Sequence, residues 1–279
     1  MNKKLPVPLL IMGGMLSLLL IGMTIGIVTR KAPEEIIEEP VEEPKEPEPD
    51  FSKIEVISGK YFYEDENFSS RFGIDVSTFQ EDIDWKKVKD EGVEFAYIRI
   101  GRRGGTTGLL YPDDKFEKNY DGAVNNGIEV GIYFFSQAIN EKEAIEEADF
   151  MLKLLGNRKL DLPIVYDLEE VLFDDEKART EDLDKKTNTD NALAFLKRIK
   201  EKGYDGVVYT NLYWAENRYE MDRLSDYPIW FAQYDREKQH PELELPIFIW
   251  QYSNSGTISG IKEPTDLNIM FIRKENKDE

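Results

Sequence analysis

Between residues 72 and 272 the spacing of apolar positions switches back and forth between two periods. Short runs rich in β-branched and aromatic residues read as strands: FGIDVST (72–78), FAYIRIG (95–101), VGIYFFS (130–136), LPIVYDLEE (162–170), GVVYTN (206–211), YPIWFAQY (227–234), IFIWQYS (247–253) and LNIMFI (267–272). Helical spacing appears between the earlier strands. Trp85 to Glu91 reads as a short helix closed by Gly92. In 116–126, Phe116, Tyr120, Ala123 and Val124 share a face, and Gly127 ends the helix. Asn140 and Glu143 resemble a capping box ahead of a helix that turns Ile145, Ala148, Leu152 and Leu155 inward and stops at Gly156. Asn188 to Lys202 repeats the pattern with Ala192, Phe195, Leu196 and Ile199, followed by Gly203. Residues 53–70 fit a strand and a loop without a firm assignment. Alternation of strand and helix predicts an α/β fold with a parallel sheet and helices outside it. Eight strands in about 200 residues fit a closed, TIM-like barrel, irregular because the later connections are too short for full helices.

The pattern before residue 53 is different in kind. Residues 9–28 form a stretch of twenty without a charge, and at 1.5 Å rise per residue such a helix spans about 30 Å, the thickness of a hydrocarbon core. No small-residue cleavage site follows a short apolar region, so residues 1–31 read as an uncleaved transmembrane signal-anchor rather than a removed signal peptide. Lys3 and Lys4 on one side and Arg30 and Lys31 on the other nearly balance, so flanking charge does not settle orientation. Residues 32–52 follow as an acidic, proline-rich linker; 32–50 hold five prolines and nine acids against one lysine, a composition that builds no core and is expected to be disordered. Residues 53–279, with a core over 71–272, form the folded domain.

Charge and composition narrow the chemistry. The net charge of −20 over 279 residues argues against a nucleic-acid partner, which needs a basic surface. With no cysteine, disulfides, zinc thiolates and iron–sulfur clusters are excluded. With the single histidine, His240, in a polar stretch that reads as an exposed loop, neither a multi-histidine metal site nor a Ser-His-Asp triad can be assembled.

The segment LPIVYDLEE holds the candidate chemistry. Residues i and i+2 of a strand share a face, so Val165, Asp167 and Glu169 lie together, and Ile164, Tyr166 and Leu168 lie on the face that meets the outer helices. In a parallel barrel the C-terminal strand ends form the active site, which puts both carboxyls in the barrel mouth. Two acids there suit glycoside hydrolysis if one is kept protonated and the other ionised. The competing reading is that they open a solvated loop, since Glu170, Asp174, Asp175 and Glu176 follow. Asp75 near the end of the first strand and Asp266 at the start of the last add two more carboxyls. Rings and amides sit near other strand ends: Tyr133, Phe135, Tyr209, Asn211, Trp230, Tyr234, Trp250 and Tyr252. Rings beside carboxylates suit a carbohydrate groove, although aromatics in strands are also ordinary core.

Five motifs in order, FGIDVSTFQEDIDW, FEKNYDGAVNNGIEVGIYFF, LPIVYDLEE, WQYSNSGTISGI and DLN, resemble glycosyl hydrolase family 25, the Chalaropsis-type lysozymes, from about Arg71 to Ile272. The resemblance implies a (β/α)5(β)3 barrel and a lysozyme that hydrolyses the β-1,4 bond after N-acetylmuramic acid in peptidoglycan, with retention and without metal or other cofactor. By motif it makes Glu169 the general acid and groups Asp167, Asp75 and Asp266 with it; the nucleophile, an aspartate or the substrate's acetamido group, stays open. Two departures bear on substrate binding: IRIGRRGG places Arg99 near a lysine of many members, and Phe134 replaces a histidine between Tyr133 and Phe135. The expected protein is a single-pass membrane enzyme with a monomeric catalytic domain outside the cell, acting on peptidoglycan glycan strands. The competing expectation is a tethered module that binds peptidoglycan without cutting it. A metal-dependent deacetylase fails on its ligand count. The irregular stretch 171–187 is expected to cover the groove.

Overall fold

A computed structural model describes residues 48–173, 176–234, 241 and 245–274. The uncharged segment 9–28, linker residues 32–47 and His240 lie outside these residues. Among the described residues no helix is long and apolar enough to cross a membrane.

The chain begins with a short hairpin, β1 (Glu55–Ile57) and β2 (Lys60–Phe62), and then enters a barrel. In order come β3 (Phe68–Val76), α1 (Trp85–Asp90), β4 (Phe95–Arg103), β5 (Leu110–Pro112), α2 (Phe116–Asn125), β6 (Glu129–Phe135), α3 (Glu141–Leu155), β7 (Ile164–Asp167), α4 (Lys185–Lys200), β8 (Gly206–Asn211), α5 (Leu212–Asn217), β9 (Ile229–Ala232), β10 (Ile247–Gly256) and β11 (Thr265–Arg273). The sheet runs β3-β11-β10-β9-β8-β7-β6-β4-β5 and closes through β3–β4 pairing. The result is a closed barrel with helices around it, and β5 is an antiparallel addition to the upper part of β4.

Alternation along the strands separates two cores. Ile164, Tyr166 and Leu168 face the outer helices, in one cluster with Ala144, Ala148 and Phe195. Val165 faces inward with Phe95, Tyr97, Val207, Trp230, Ile249 and Met270, which fill the barrel below its mouth. Gly73, on the inward face one step below Asp75, leaves room for a neighbour: a Cβ there would lie 2.3 Å from the Phe95 ring.

Four features differ from the sequence pattern. The last strand is antiparallel to both neighbours, β10 and β3. Only residues 257–264 connect β10 to β11, too few for a parallel crossover. The inward face of α3 is Ala144, Glu147, Ala148, Met151 and Leu155 rather than a stripe through Ile145, which is 38% exposed. Val124 on α2 is likewise exposed. The capping box at α3 is half made: the Asn140 side chain accepts from the Glu143 N–H, but the Glu143 carboxylate accepts from Ile139 N–H. Residues 53–63, left open by the pattern, and Phe51, at the end of the segment read as linker, cover the outer wall where the last strands have no helix. Phe51 and Tyr63 pack on Phe271, and Tyr61 packs on Trp250 and Tyr252.

Candidate active site

The C-terminal ends of the parallel strands and the N-terminal end of β11 meet at one mouth. Because β11 runs the other way, a residue at its start comes level with residues at the other strands' ends. Asp266 is therefore the direct register partner of Asp75. Across the barrel Asp167 ends β7, between Phe135 of β6 and Tyr209 of β8, and Glu169 stands just beyond it. All four carboxyls line one cavity of about 220 Å³, together with Arg99, Tyr133, Phe135, Tyr209, Trp230 and Tyr234.

The remaining three ring and amide candidates are elsewhere. The Asn211 side chain caps α5, accepting from Trp214 N–H at 2.9 Å. Trp250 and Tyr252 point outward into the core under the N-terminal hairpin. The cause is strand alternation: between Trp250 and Tyr252, Gln251 is the inward residue, and it reaches the site. Phe134, the departure at the third strand, also faces outward, against Phe150, so the change falls outside the cavity wall. No described residue of 171–187 lines the acidic cavity; Arg179 from that stretch pairs with Glu143 on α3 at 2.7 and 2.9 Å.

Asp75 has the best-supported carboxylate. Its Oδ2 accepts from Gln251 Nε2 and Asn268 Nδ2, each at 2.8 Å. Both amides are held in that orientation. Tyr209 and Tyr234 hydroxyls donate to Gln251 Oε1 at 2.9 and 2.5 Å, and the indole N–H of Trp230 donates to Asn268 Oδ1 at 2.9 Å. An indole can only donate, so the Asn268 oxygen must face it and the amide N–H₂ must face Asp75. Neither Gln251 nor Asn268 was singled out from sequence. The available signal was the same-face spacing of Asp266 with Asn268, and the polar residue between two outward rings.

Burial sets the protonation of the cluster. Asp75 is pushed up to about 6 by desolvation, with the amide hydrogen bonds opposing. Glu169 rises to about 7, from desolvation and then the Asp75 charge, held back by hydrogen bonding with Asp167 and Tyr209. Asp266 reaches about 9, again from desolvation first and then Asp75. Asp167 is displaced well above the carboxylate range by desolvation and the charges of Glu169 and Asp75, and its Oδ1 is buried without a hydrogen-bond partner. Burial thus pushes all four carboxyls toward their protonated forms, and at Asp75 two amide donors oppose it.

Other side chains fix the walls. Arg99 donates to Asp113 Oδ2 through Nε at 2.9 Å, its Nη2 stands 2.8 Å from the same oxygen in an ion pair, and it lies 5.1 Å from the exposed Phe79 ring. Ser77 and Gln80 bond each other in a capping box that turns the chain after Asp75. Gln137 holds the backbone of the acidic strand end: its Nε2 donates to Glu169 O at 3.1 Å, and its Oε1 accepts from Thr180 at 2.9 Å.

Comparison with known proteins agrees with this fold. Residues 74–261 match glycosyl hydrolases family 25. The chain is 30% identical over 196 residues to an autolytic lysozyme of Clostridium acetobutylicum, covering 70% of this chain and 54% of that protein. It is 30% identical over 203 residues to lysozyme M1 of Streptomyces globisporus, covering 70% of this chain and 66% of that one. The chain therefore spans between half and two thirds of these relatives. In three dimensions it resembles the modular autolysin LytC of Streptococcus pneumoniae, solved with a synthetic peptidoglycan ligand, at TM-score 0.65 and 25% identity over 77% of this chain and 51% of that one. With its family motifs matched over two thirds of its length and its carboxyls gathered at the mouth of a closed barrel, the chain belongs to glycosyl hydrolases family 25.

Proposed function

We propose that the protein is a muramidase that hydrolyses the β-1,4 bond following N-acetylmuramic acid in peptidoglycan glycan strands. The observation that carries the reading is geometric: four carboxyls share one cavity, and one of them, Asp75, is braced by two amide donors. Glu169 keeps a proton up to about pH 7, while Asp75, braced by two amide donors, is ionised above about 6. Glycosidic cleavage needs such a pair, one group to protonate the leaving oxygen and one negative charge to face the developing oxocarbenium ion. Burial raises Asp167 and Asp266 as well, which favours a single negative charge beside Glu169. Relatives named as lysozymes and an autolysin solved with a peptidoglycan ligand support the substrate class. Residues 9–28 would hold the enzyme in the cell membrane as a single span, and the linker would let the barrel reach wall glycan from the outer side.

The test is digestion of purified peptidoglycan by the full chain, with new reducing ends identified by mass spectrometry. Muramic reducing ends are expected. N-acetylglucosamine reducing ends would refute the bond assignment, and binding without any new ends would return the protein to the non-catalytic module. The rate should rise with pH as Asp75 ionises near 6 and fall as Glu169 loses its proton near 7. A flat profile between pH 5 and 8 would contradict the pairing.

Gln137 is a positioning residue in this scheme: its side chain reaches Glu169 through the backbone carbonyl and is itself held by Thr180. Gln137→Leu is expected to lower kcat about tenfold while leaving KM within about twofold, because the bond it removes orients the acid rather than the sugar. A folded variant in which only KM changes would show that Gln137 acts on substrate binding.

A further inference from the structure

We propose that the N-terminal β1–β2 hairpin forms a second glycan subsite, continuous with the acidic pocket, which holds the aminosugar chain as it leaves the mouth. The proposal rests on the muramidase reading above. A polymeric substrate cleaved within its length must run out of the pocket on both sides, so any adjoining trough of suitable chemistry becomes part of its path. One such trough, of about 670 Å³, lies between the hairpin and the β10–β11 turn. Tyr234 lines both this trough and the acidic cavity, so the two share a wall.

The lining fits a sugar chain. One side presents the hydroxyl and amide groups of Ser253, Asn254, Ser255 and Thr257. The other presents Tyr61, whose ring stacks on Tyr252 at 4.2 Å with 13° between planes. An aromatic wall of stacked Tyr61 and Tyr252 beside short polar groups matches a pyranose, which has apolar C–H faces and a hydroxyl rim.

The hairpin is pinned in place. Ser58 and Gly59 both have positive φ, 52° and 79°, the geometry of a tight two-residue hairpin turn that follows strand twist. This turn lines the trough. Lys60 anchors the second strand, donating to the Glu91 carbonyl at 2.6 Å and its carboxylate at 3.0 Å. Tyr61 is wedged edge-on against Trp250 at 5.2 Å. All of these hairpin residues lie before the stretch matched by the family, residues 74–261. These residues thus lie outside the stretch matched by the family model, and the subsite would favour long strands over short fragments.

The experiment compares kcat/KM for long glycan strands with kcat/KM for a muramic tetrasaccharide, using the full chain. Ser255 and Asn254 are exposed, so their substitution leaves the core alone. Ser255→Trp, which fills the trough, is expected to lower the long-to-short ratio about tenfold, and Asn254→Ala about threefold, through KM for the long strands. As a binding readout, the Glu169→Gln chain saturated with a muramic octasaccharide should show slowed amide exchange over residues 55–62, and the tetrasaccharide should not. An unchanged ratio in both variants with no protection of the hairpin overturns the subsite, while the wild-type cleavage rate keeps the muramidase reading intact. If the wild-type chain cuts neither substrate, the muramidase reading fails. Hairpin exchange then decides alone: protection by the octasaccharide upholds the subsite and its absence overturns it.

Discussion

Glu169→Gln is expected to lower kcat on peptidoglycan by roughly a thousandfold and to leave a folded protein with near-normal affinity for glycan. Glutamine keeps the size and hydrogen-bonding edge of the side chain, and Gln137 bonds the backbone carbonyl at this position, so the strand end stays in place. What disappears is the transferable proton. The same change should alter the pH profile. Glu169 is raised to about 7, so wild-type activity falls as pH rises through that value, and the variant's residual rate should lack this alkaline limb. Stability gives a third readout. A carboxyl whose folded pKa lies above its unfolded value costs stability as pH rises from the unfolded value to the folded one. Removing it should therefore raise Tm at pH 8 and leave it unchanged at pH 4. Retention of more than about a tenth of wild-type kcat would remove Glu169 from the acid's role.

Arg103→Met is expected to destabilise the barrel by about 3–5 kcal/mol, lowering Tm by roughly 10 °C at pH 8. Arg103 is 4% exposed, and its Nε donates to Glu147 Oε1 at 2.7 Å. Its other nitrogens donate to the Gly108 and Glu143 carbonyls at 2.7 and 3.0 Å and to Glu146 at 3.2 Å. Glu147 is wholly buried on α3, and it also accepts from Ser136 Oγ and Gln137 N–H at 2.6 and 3.2 Å. Even with its cation present, desolvation pushes Glu147 up to about 7. Without Arg103 its pKa moves higher, so the penalty grows as pH climbs from the unfolded carboxyl value toward the new folded one. The loss should therefore be much smaller at pH 5 than at pH 8. Replacing both partners, Arg103→Met with Glu147→Met, should recover a large part of the stability, because no uncompensated charge remains. Equal losses at the two pH values would show that the pair contributes packing rather than charge compensation.

The buried pair also explains one misreading of the pattern. A charged residue ordinarily marks a solvent face, so Glu147 rotates the apparent apolar stripe of α3 toward Ile145. Its partner is 44 positions away on β4, beyond the reach of any local period. The catalytic candidates divide along the same line. The period-2 alternation of LPIVYDLEE places Asp167 and Glu169 with Val165 on the inner face, and the chain's own order of motifs leads to its family. Alternation was equally present at Trp250, Gln251 and Tyr252, but which set faces inward depends on the neighbouring strands, and there the amide is inside and the rings are outside.

One-dimensional pattern was thus enough for eight barrel strands, four of the helices and the four carboxyls, because strand and helix periods and short motifs are local properties. Folding in space supplied the rest. Reversal of β11 brings Asp266 beside Asp75, and residues 51–63 cover a wall that no helix reaches. The indole of Trp230 and two tyrosine hydroxyls orient the amides that hold Asp75, whose carboxyl is raised to about 6 against about 7 for Glu169 and about 9 for Asp266. Those outcomes depend on burial and on partners distant in the chain: a carboxyl's protonation is set by the water it loses and the donors it meets, and neither is a property of its own stretch of sequence.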